Sequence, residues 1–197
     1  MSVSEALTHL SKDPVLRKLI KKYPPFDWPK TGDIFTDLVE SVINQQLSLA
    51  SAASIYARFK KLFKNSITPK NTLKLSLDQL KGVGLSGQKS TYIQNVATAI
   101  ISKDLDVNKL NIATDQEVID QLTSIKGIGP WSAHMILMFT LNRPNVFPVG
   151  DLGIRTAISR LYKLDRENQK AMIIIAEKWS PYRTLASRYL WQSLDNQ

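Results

Sequence analysis

The sequence predicts an all-α protein, and three observations carry that prediction. Apolar residues recur with the 3.6-residue period of a helix along most of the 197 residues. No segment alternates convincingly with the period of two expected of a half-buried strand. Several periodic segments open on Ser, Thr or Asp and close at glycine, the chemistry of helix caps.

The elements follow in order. Asp13-Pro14 opens a short helix with Leu16, Leu19 and Ile20 on one face. Residues 23–32, YPPFDWPKTG, form a proline-rich connection. A helix Ile34–Asn44 is followed by a break at 45–48 and a helix over 49–63. Ser76 caps a short helix that ends at Gly82, and a long helix spans 88–102. Thr114 and Glu117 form a capping box, and Val118, Ile119, Leu122 and Ile125 give the following helix its buried face. Lys126-Gly127-Ile128-Gly129 is a tight turn in which Gly127 is expected to end that helix in the left-handed conformation. Pro130 suits the first turn of the next helix, and Ala133, Met135, Ile136, Leu137 and Phe139 make it largely buried. A helix opens at Asp151. Two more are expected over about 167–178 and 181–194, the last with Ser180 as cap and Pro181 at its first position. Lys81-Gly82-Val83-Gly84 echoes the turn at 126–129, and nothing around it extends the similarity, so it reads as another glycine-closed helix corner.

Composition narrows the function. The chain is 43% hydrophobic, enough for one compact unit or two small lobes. Its net charge of +9 suits a polyanionic partner, although charge alone is a weak pointer. With no cysteine there is no disulfide framework, thiolate metal site or cysteine-held iron–sulfur cluster, and two histidines are too few for a histidine metal centre. The N-terminal MSVSEALTHLSKDP lacks an apolar core, so no secretory signal is expected. No apolar run approaches membrane-spanning length. The expectation is an intracellular protein, in the cytoplasm and nucleoid, or in the nucleus of a eukaryote.

Two segments carry chemistry. LTSIKGIGPWSAHMILM (122–138) reads helix, glycine hairpin, helix. VFPVGDLGIRTAI (146–158) places a carboxylate, Asp151, at a Gly-Asp step, 20 residues beyond Trp131. Amides around Gly127, Ile128 and Gly129 at a helix start can hold an anion, and glycine lets a phosphate approach closely. Lys126 can add a direct charge contact. The plainer alternative is a helix corner with a glycine cap.

These two segments, with VINQQLSLASAASIYARF (42–59), GLSGQKSTYIQNVA (84–97) and AEKWSPYRTLASRYLW (176–191), resemble the helix-hairpin-helix DNA glycosylase superfamily. Within it the chain is most similar to the alkylation-repair branch, the 3-methyladenine DNA glycosylase II type. About thirty residues precede the first matched helix, so the extra β-domain of larger bacterial members is expected to be absent. The resemblance implies two helical lobes with a cleft between them. One is a six-helix lobe at 31–142 carrying the helix-hairpin-helix motif. The other comprises 1–30 and 143–197, carries Asp151, and is reached through Arg143-Pro144-Asn145. It further implies base-excision repair of double-stranded DNA with a damaged base by a monomer. No cofactor is required, a monovalent cation at the hairpin being the only ion admitted, and no metal or membrane is involved.

The resemblance also assigns site residues. Strand-cutting members place a Schiff-base lysine two residues after the second hairpin glycine. Here that position is Trp131, which implies a monofunctional glycosylase without lyase activity. Asp151 is the expected catalytic carboxylate, stabilising an oxocarbenium-like sugar and aligning water; aspartate there is also a good helix cap. Trp131 and Trp191 are expected to stack on a cationic alkylpurine, against the commoner fate of tryptophan in a core. Larger relatives have tyrosine where this chain has Met135. Lys126, Gly127, Ile128 and Gly129 are expected to hold DNA backbone. Gln46, with Gln45 beside it, is expected to fill the gap left by the flipped base, the alternative being a turn-stabilising glutamine. Arg155 is expected to hold its loop. Two other functions fit less of the pattern: a damage-binding protein of this fold without catalysis, and a glycosylase for a deaminated or oxidised base.

Overall fold

The computed structural model describes residues 2–26, 32–64 and 66–194. Every regular element among them is helical. The chain divides into two compact units, one of residues 30–141 and the other of residues 1–29 with 142–197. Part of the expected connection at 23–32, including the expected lobe boundary at 31, lies outside the described residues.

In the unit of residues 30–141, α3 (Ile34–Asn44) starts where Asp33 accepts from the Thr36 N–H at 2.9 Å. Phe35, Leu38, Val39, Val42 and Ile43 are buried along its inner face. α4 (Leu49–Lys60) is capped by Ser48 and stops three residues before the expected end. There Lys61 and Leu62 close turn-type bonds back onto Arg58 and Phe59, which end the helical ladder. Short helices α5 (Pro69–Thr72) and α6 (Leu77–Gly82) lead to α7 (Gly87–Ser102), which packs on α3, α5 and α6. α5 and the following α8 (Val107–Leu110) are single turns too short to leave a periodic signature. α9 (Asp115–Thr123) has the expected capping box, with the Glu117 carboxylate accepting from the Thr114 N–H at 2.7 Å. α10 (Pro130–Met135) continues as a π-helical turn, Ile136–Thr140, in which the Leu141 N–H reaches the Ile136 carbonyl at 2.9 Å. The second hairpin helix is not uniformly buried. Ile136, Leu137 and Met138 are inside, while Met135 and Phe139 are only half-buried.

In the other unit, α1 (Val3–Leu10) has no counterpart among the expected elements, although Ser2 and Glu5 have capping-box spacing. α2 (Pro14–Lys22) follows Asp13. α11 (Leu152–Tyr162), α12 (Gln169–Glu177) and α13 (Arg183–Gln192) complete it. Asp13 is a structural hub. Its Oδ1 accepts from the Val15 and Leu16 amides at 2.8 and 3.2 Å. Its Oδ2 accepts from the Tyr162 hydroxyl at 2.9 Å and the Trp179 indole at 3.1 Å. Burial and the nearby Asp13 charge push the Tyr162 hydroxyl well above the usual tyrosine range. Trp179 and Tyr189 are buried in a core with Leu10, Leu16, Ile158 and Leu190.

The final helix corrects an expectation. Ser180-Pro181 does not open it; the bond is cis, and α13 begins at Arg183. The pair instead occupies the middle of a turn closed by the Tyr182 N–H onto the Trp179 carbonyl at 2.7 Å.

Candidate active site and nucleic-acid interface

Asp151 stands at the head of α11 with the extended backbone of an N-cap, φ −72° and ψ 128°. Its Oδ1 accepts the Ile154 N–H at 2.8 Å and the Trp191 indole N–H, also at 2.8 Å. The capping role is therefore real. The second contact adds something a cap does not need, a long-range donor from α13 that fixes the carboxylate's direction. A Cβ at Gly153 would lie 3.0 Å from both Asp151 Oδ1 and Trp191 Cδ1, so glycine there lets indole and carboxylate meet. Gly150 has open space around it, and no packing demand explains it. Arg155 pairs with Glu167 at 2.6 Å, holding the approach to α12. The Arg143-Pro144-Asn145 stretch is tied to α13. Thr184 bonds the Arg143 and Pro144 carbonyls, and Arg183 donates to Asn145 Oδ1 at 2.8 Å.

The hairpin lies in the other unit. Gly127 has φ +111°, a conformation that suits glycine. It does not cap α9, however, which ends at Thr123 with Ser124 as its C-cap. Gly127 shapes the turn itself, and a Cβ there would clash with Cβ, Cγ and Cδ1 of Tyr92. The Ile128 N–H is bonded to the Ile125 carbonyl at 3.0 Å, so an anion site would rest on the Gly127 and Gly129 amides. Gly129 has an ordinary φ of −102°, and a Cβ there would meet nothing within 4 Å, so no packing demand of the protein requires glycine. Lys126 is exposed beside them. The echo at Lys81–Gly84 is different. Gly84, φ +101°, is covered by the Arg58 guanidinium, whose Nε donates to the Val83 carbonyl at 2.8 Å.

The turn at 44–47 is joined to the hairpin by side chains. Gln45 Nε2 donates to the Gly127 carbonyl at 3.0 Å. Lys89 of α7 donates to the Ile43 and Gln45 carbonyls at 2.9 and 2.7 Å, and burial lowers its ammonium below the usual lysine range. Asn95 of α7 donates to the Lys126 carbonyl at 2.9 Å. Gln46 is exposed at the tip with φ +56°, a left-handed position that costs a non-glycine residue about 1 kcal/mol to hold. Sequence reasoning missed Lys89, Tyr92 and Asn95. Their 3-residue spacing along one helix face is their only local signal.

A cavity of about 510 Å³ opens in the same unit, within the size range of small-molecule sites. Trp131 and Met135 line it with Phe139, Leu47 and Asn44, and so do Asp37 and Glu40. A neighbouring pocket is lined by Gln45, Gln46, Gly129 and Trp131. The expected residues thus fall into two groups: Asp151 with Trp191 in one unit, and Trp131, Met135, the glutamines and the hairpin in the other. Among the described residues, no group of His, Cys, Asp or Glu could hold a metal ion. No helix among them is long and apolar enough to cross a membrane.

Comparison with known proteins matches this architecture. The family model described as HhH-GPD superfamily base excision DNA repair protein matches residues 39–181. DNA-3-methyladenine glycosylase 1 of Schizosaccharomyces pombe is 32% identical over 182 residues, covering 90% of this chain and 80% of that protein. YfjP of Bacillus subtilis is 32% identical over 170 residues; there the chain spans 59% of the relative's length. The solved structure of the S. pombe 3-methyladenine DNA glycosylase in complex with abasic DNA superposes with a TM-score of 0.89. It has 29% identity, with 97% of each chain covered.

Proposed function

This chain belongs to the HhH-GPD superfamily of base excision DNA repair proteins, and from that premise we propose that it is a monofunctional DNA glycosylase for alkylated purines in duplex DNA. The observation that carries this reading is the held carboxylate: Asp151 is gripped on Oδ1 by the Trp191 indole and the Ile154 amide, both at 2.8 Å. A fixed negative charge is what an oxocarbenium-like sugar needs.

In this mechanism the damaged nucleotide leaves the stack, since a base inside the duplex is out of reach. The C1′–N bond breaks with its electron pair going to the base. A purine carrying positive charge at an alkylated ring nitrogen departs neutral, so no general acid is required. Asp151 stabilises the positive charge growing at C1′. Water then adds its oxygen to C1′ and releases a proton, with Asp151 aligning it. Trp131 stands where strand-cutting relatives carry an amine, and an indole forms no Schiff base. The half-buried faces of Trp131 and Met135 suit the base, while Trp191 has its N–H committed to Asp151 and serves chiefly to orient it.

DNA is held at Lys126, Gly127 and Gly129, and Gln46, with Gln45 anchoring its turn, fills the vacated stack. The Lys126 and Gly127 carbonyls each accept one side-chain amide already; a monovalent cation at the hairpin would use their second lone pairs. We read residues 30–141 as the hairpin lobe and the remainder as the lobe of the catalytic aspartate, in a monomer working inside the cell.

Incubating the protein with methylated duplex and analysing released bases by chromatography tests the reading. Free methylpurine and an unbroken abasic strand are expected. Strand cleavage with a borohydride-trapped protein–DNA adduct would overturn the monofunctional assignment, and no base release at all would overturn the glycosylase.

A further inference from the structure

The aromatic pocket contains charge that base release by Asp151 does not use. Asp37 and Glu40 stand three residues apart on one face of α3 and both line the cavity of Trp131 and Phe139. No lysine or arginine is among its described lining residues, in a chain whose net charge is +9. Asp37 is half-buried and held in place. The Thr140 hydroxyl donates to its Oδ2 at 2.7 Å, and Gly32 leaves the room its carboxylate occupies, which a Cβ would take. Burial raises the affinity of both carboxyls for protons, so their charge is held there at a cost.

A second observation points to a missing ligand. Ser41 is 5% exposed and lines the same cavity, and its buried Oγ has no hydrogen-bond partner among the described residues. An unsatisfied buried hydroxyl is destabilising, and a polar ligand edge that reaches it recovers the loss.

We propose that Asp37, with Glu40 at the rim, reads the charge of the flipped base: this pocket selects purines made cationic by ring-nitrogen alkylation and discriminates against neutral lesions. The inference rests on the glycosylase reading and adds a substrate rule to it. Stacking on Trp131 and Phe139 accepts any purine. The carboxylate cancels positive charge and accepts an exocyclic N–H, while a neutral base leaves its charge uncompensated. Because the base becomes neutral as C1′–N breaks, this attraction is greatest before bond cleavage. Asp37 therefore acts on capture of the lesion and not on the chemical step.

The test uses the full chain and Asp37→Asn, which keeps the shape and an acceptor for Thr140, with Glu40→Gln beside it and circular dichroism as a folding control. Duplexes carry 7-methylguanine, which is cationic, or hypoxanthine, which is neutral. In single-turnover release of 7-methylguanine, Asp37→Asn should raise the half-saturating protein concentration about 10-fold, the scale of one charge-assisted hydrogen bond. The plateau rate should hold or rise, because losing an interaction made chiefly in the bound complex leaves a smaller barrier from that complex. Glu40→Gln should act in the same direction and less, since an exposed charge is better screened. The preference for the cationic lesion, read as the ratio of half-saturating concentrations, should shrink by a similar factor. An unchanged half-saturation, or a plateau that falls equally for both lesions, would overturn the proposal.

A binding arm separates this proposal from the glycosylase reading. Calorimetric titration with the free bases 7,9-dimethylguaninium and 9-methylguanine needs no catalysis. The wild type should favour the cation, and Asp37→Asn should lose that preference. Equal binding of the two by the wild type, or no binding of either, would overturn charge reading whatever the outcome for base release.

Discussion

The indole of Trp191 and the carboxylate of Asp151, 40 residues apart in sequence, meet in a 2.8 Å hydrogen bond. If Asp151 supplies charge, Asp151→Asn should lower single-turnover base release by about 10²-fold or more while duplex affinity holds. Trp191→Phe keeps the ring and removes the donor. It should cost less, about 10-fold in the plateau rate, as expected of a residue that orients another. Measuring both rates on methylated duplex decides the matter. Near-normal release by Asp151→Asn would leave Asp151 as a cap only.

Lys126→Ala should weaken binding equally on unrelated duplexes and reduce the slope of log affinity against log salt by about one. Its melting temperature should barely move, since an exposed lysine contributes little to folding. Fluorescence anisotropy across a salt series measures the affinity and its slope, and a thermal melt the stability. A full salt slope in the variant would return the hairpin to a simple helix corner.

Gln46 invites a substitution that separates strain from function. Gln46→Gly relieves a left-handed φ worth about 1 kcal/mol and adds a comparable freedom to the unfolded chain. Thermal stability should therefore be nearly unchanged. Base release should still fall about 10-fold, because nothing fills the gap in the stack. Normal release with normal stability would assign Gln46 to the turn alone.

Asp13→Ala removes an N-cap and strands two buried donors, Tyr162 Oη and Trp179 Nε1. A loss of about 3 kcal/mol is expected, or roughly 6–12 °C in melting temperature for a chain of this size. Differential scanning calorimetry measures it. A shift under about 2 °C would mean that water replaces the carboxylate.

The pocket carboxyl gives a pH signature. Burial first, and then Asp33, raise the Asp37 pKa above the usual aspartate range, against a lowering hydrogen bond from Thr140. Folding thus favours the protonated form, and this contribution is present below the unfolded pKa and lost as pH rises through the folded one. Asp37→Asn should melt above the wild type at neutral pH, and the gap should close as the pH falls towards about 4. Glu40, raised by burial and by Asp37 and opposed by Lys60, acts in the same sense. Parallel melts at about pH 4 and pH 7 check this; an equal gap at both values would refute it.

The sequence made the helices legible because caps and periodicity are local. Asp33 opening Ile34–Asn44 and Thr114 paired with Glu117 are read without knowing any neighbour. The hairpin and Asp151 were legible through their motif. What escaped was tertiary. Asp37 and Glu40 look like ordinary solvated charges until α10 brings Trp131 to them. Trp191 carries no mark of its bond to Asp151. The π turn at Ile136–Thr140 has no signature in a run of apolar residues.

Lys89, Tyr92 and Asn95 meet the 44–47 turn and the hairpin from a single rod, α7. A helix rises 1.5 Å per residue and hardly compresses, so the six-residue step from Lys89 to Asn95 sets off about 9 Å as on a gauge block. The interval between Gln46, the proposed plug, and the hairpin amides proposed to hold the backbone is thus machined into the protein itself. Adding or deleting one residue between them would turn the far mark by about 100° and spoil the measure, even with every contacting side chain retained.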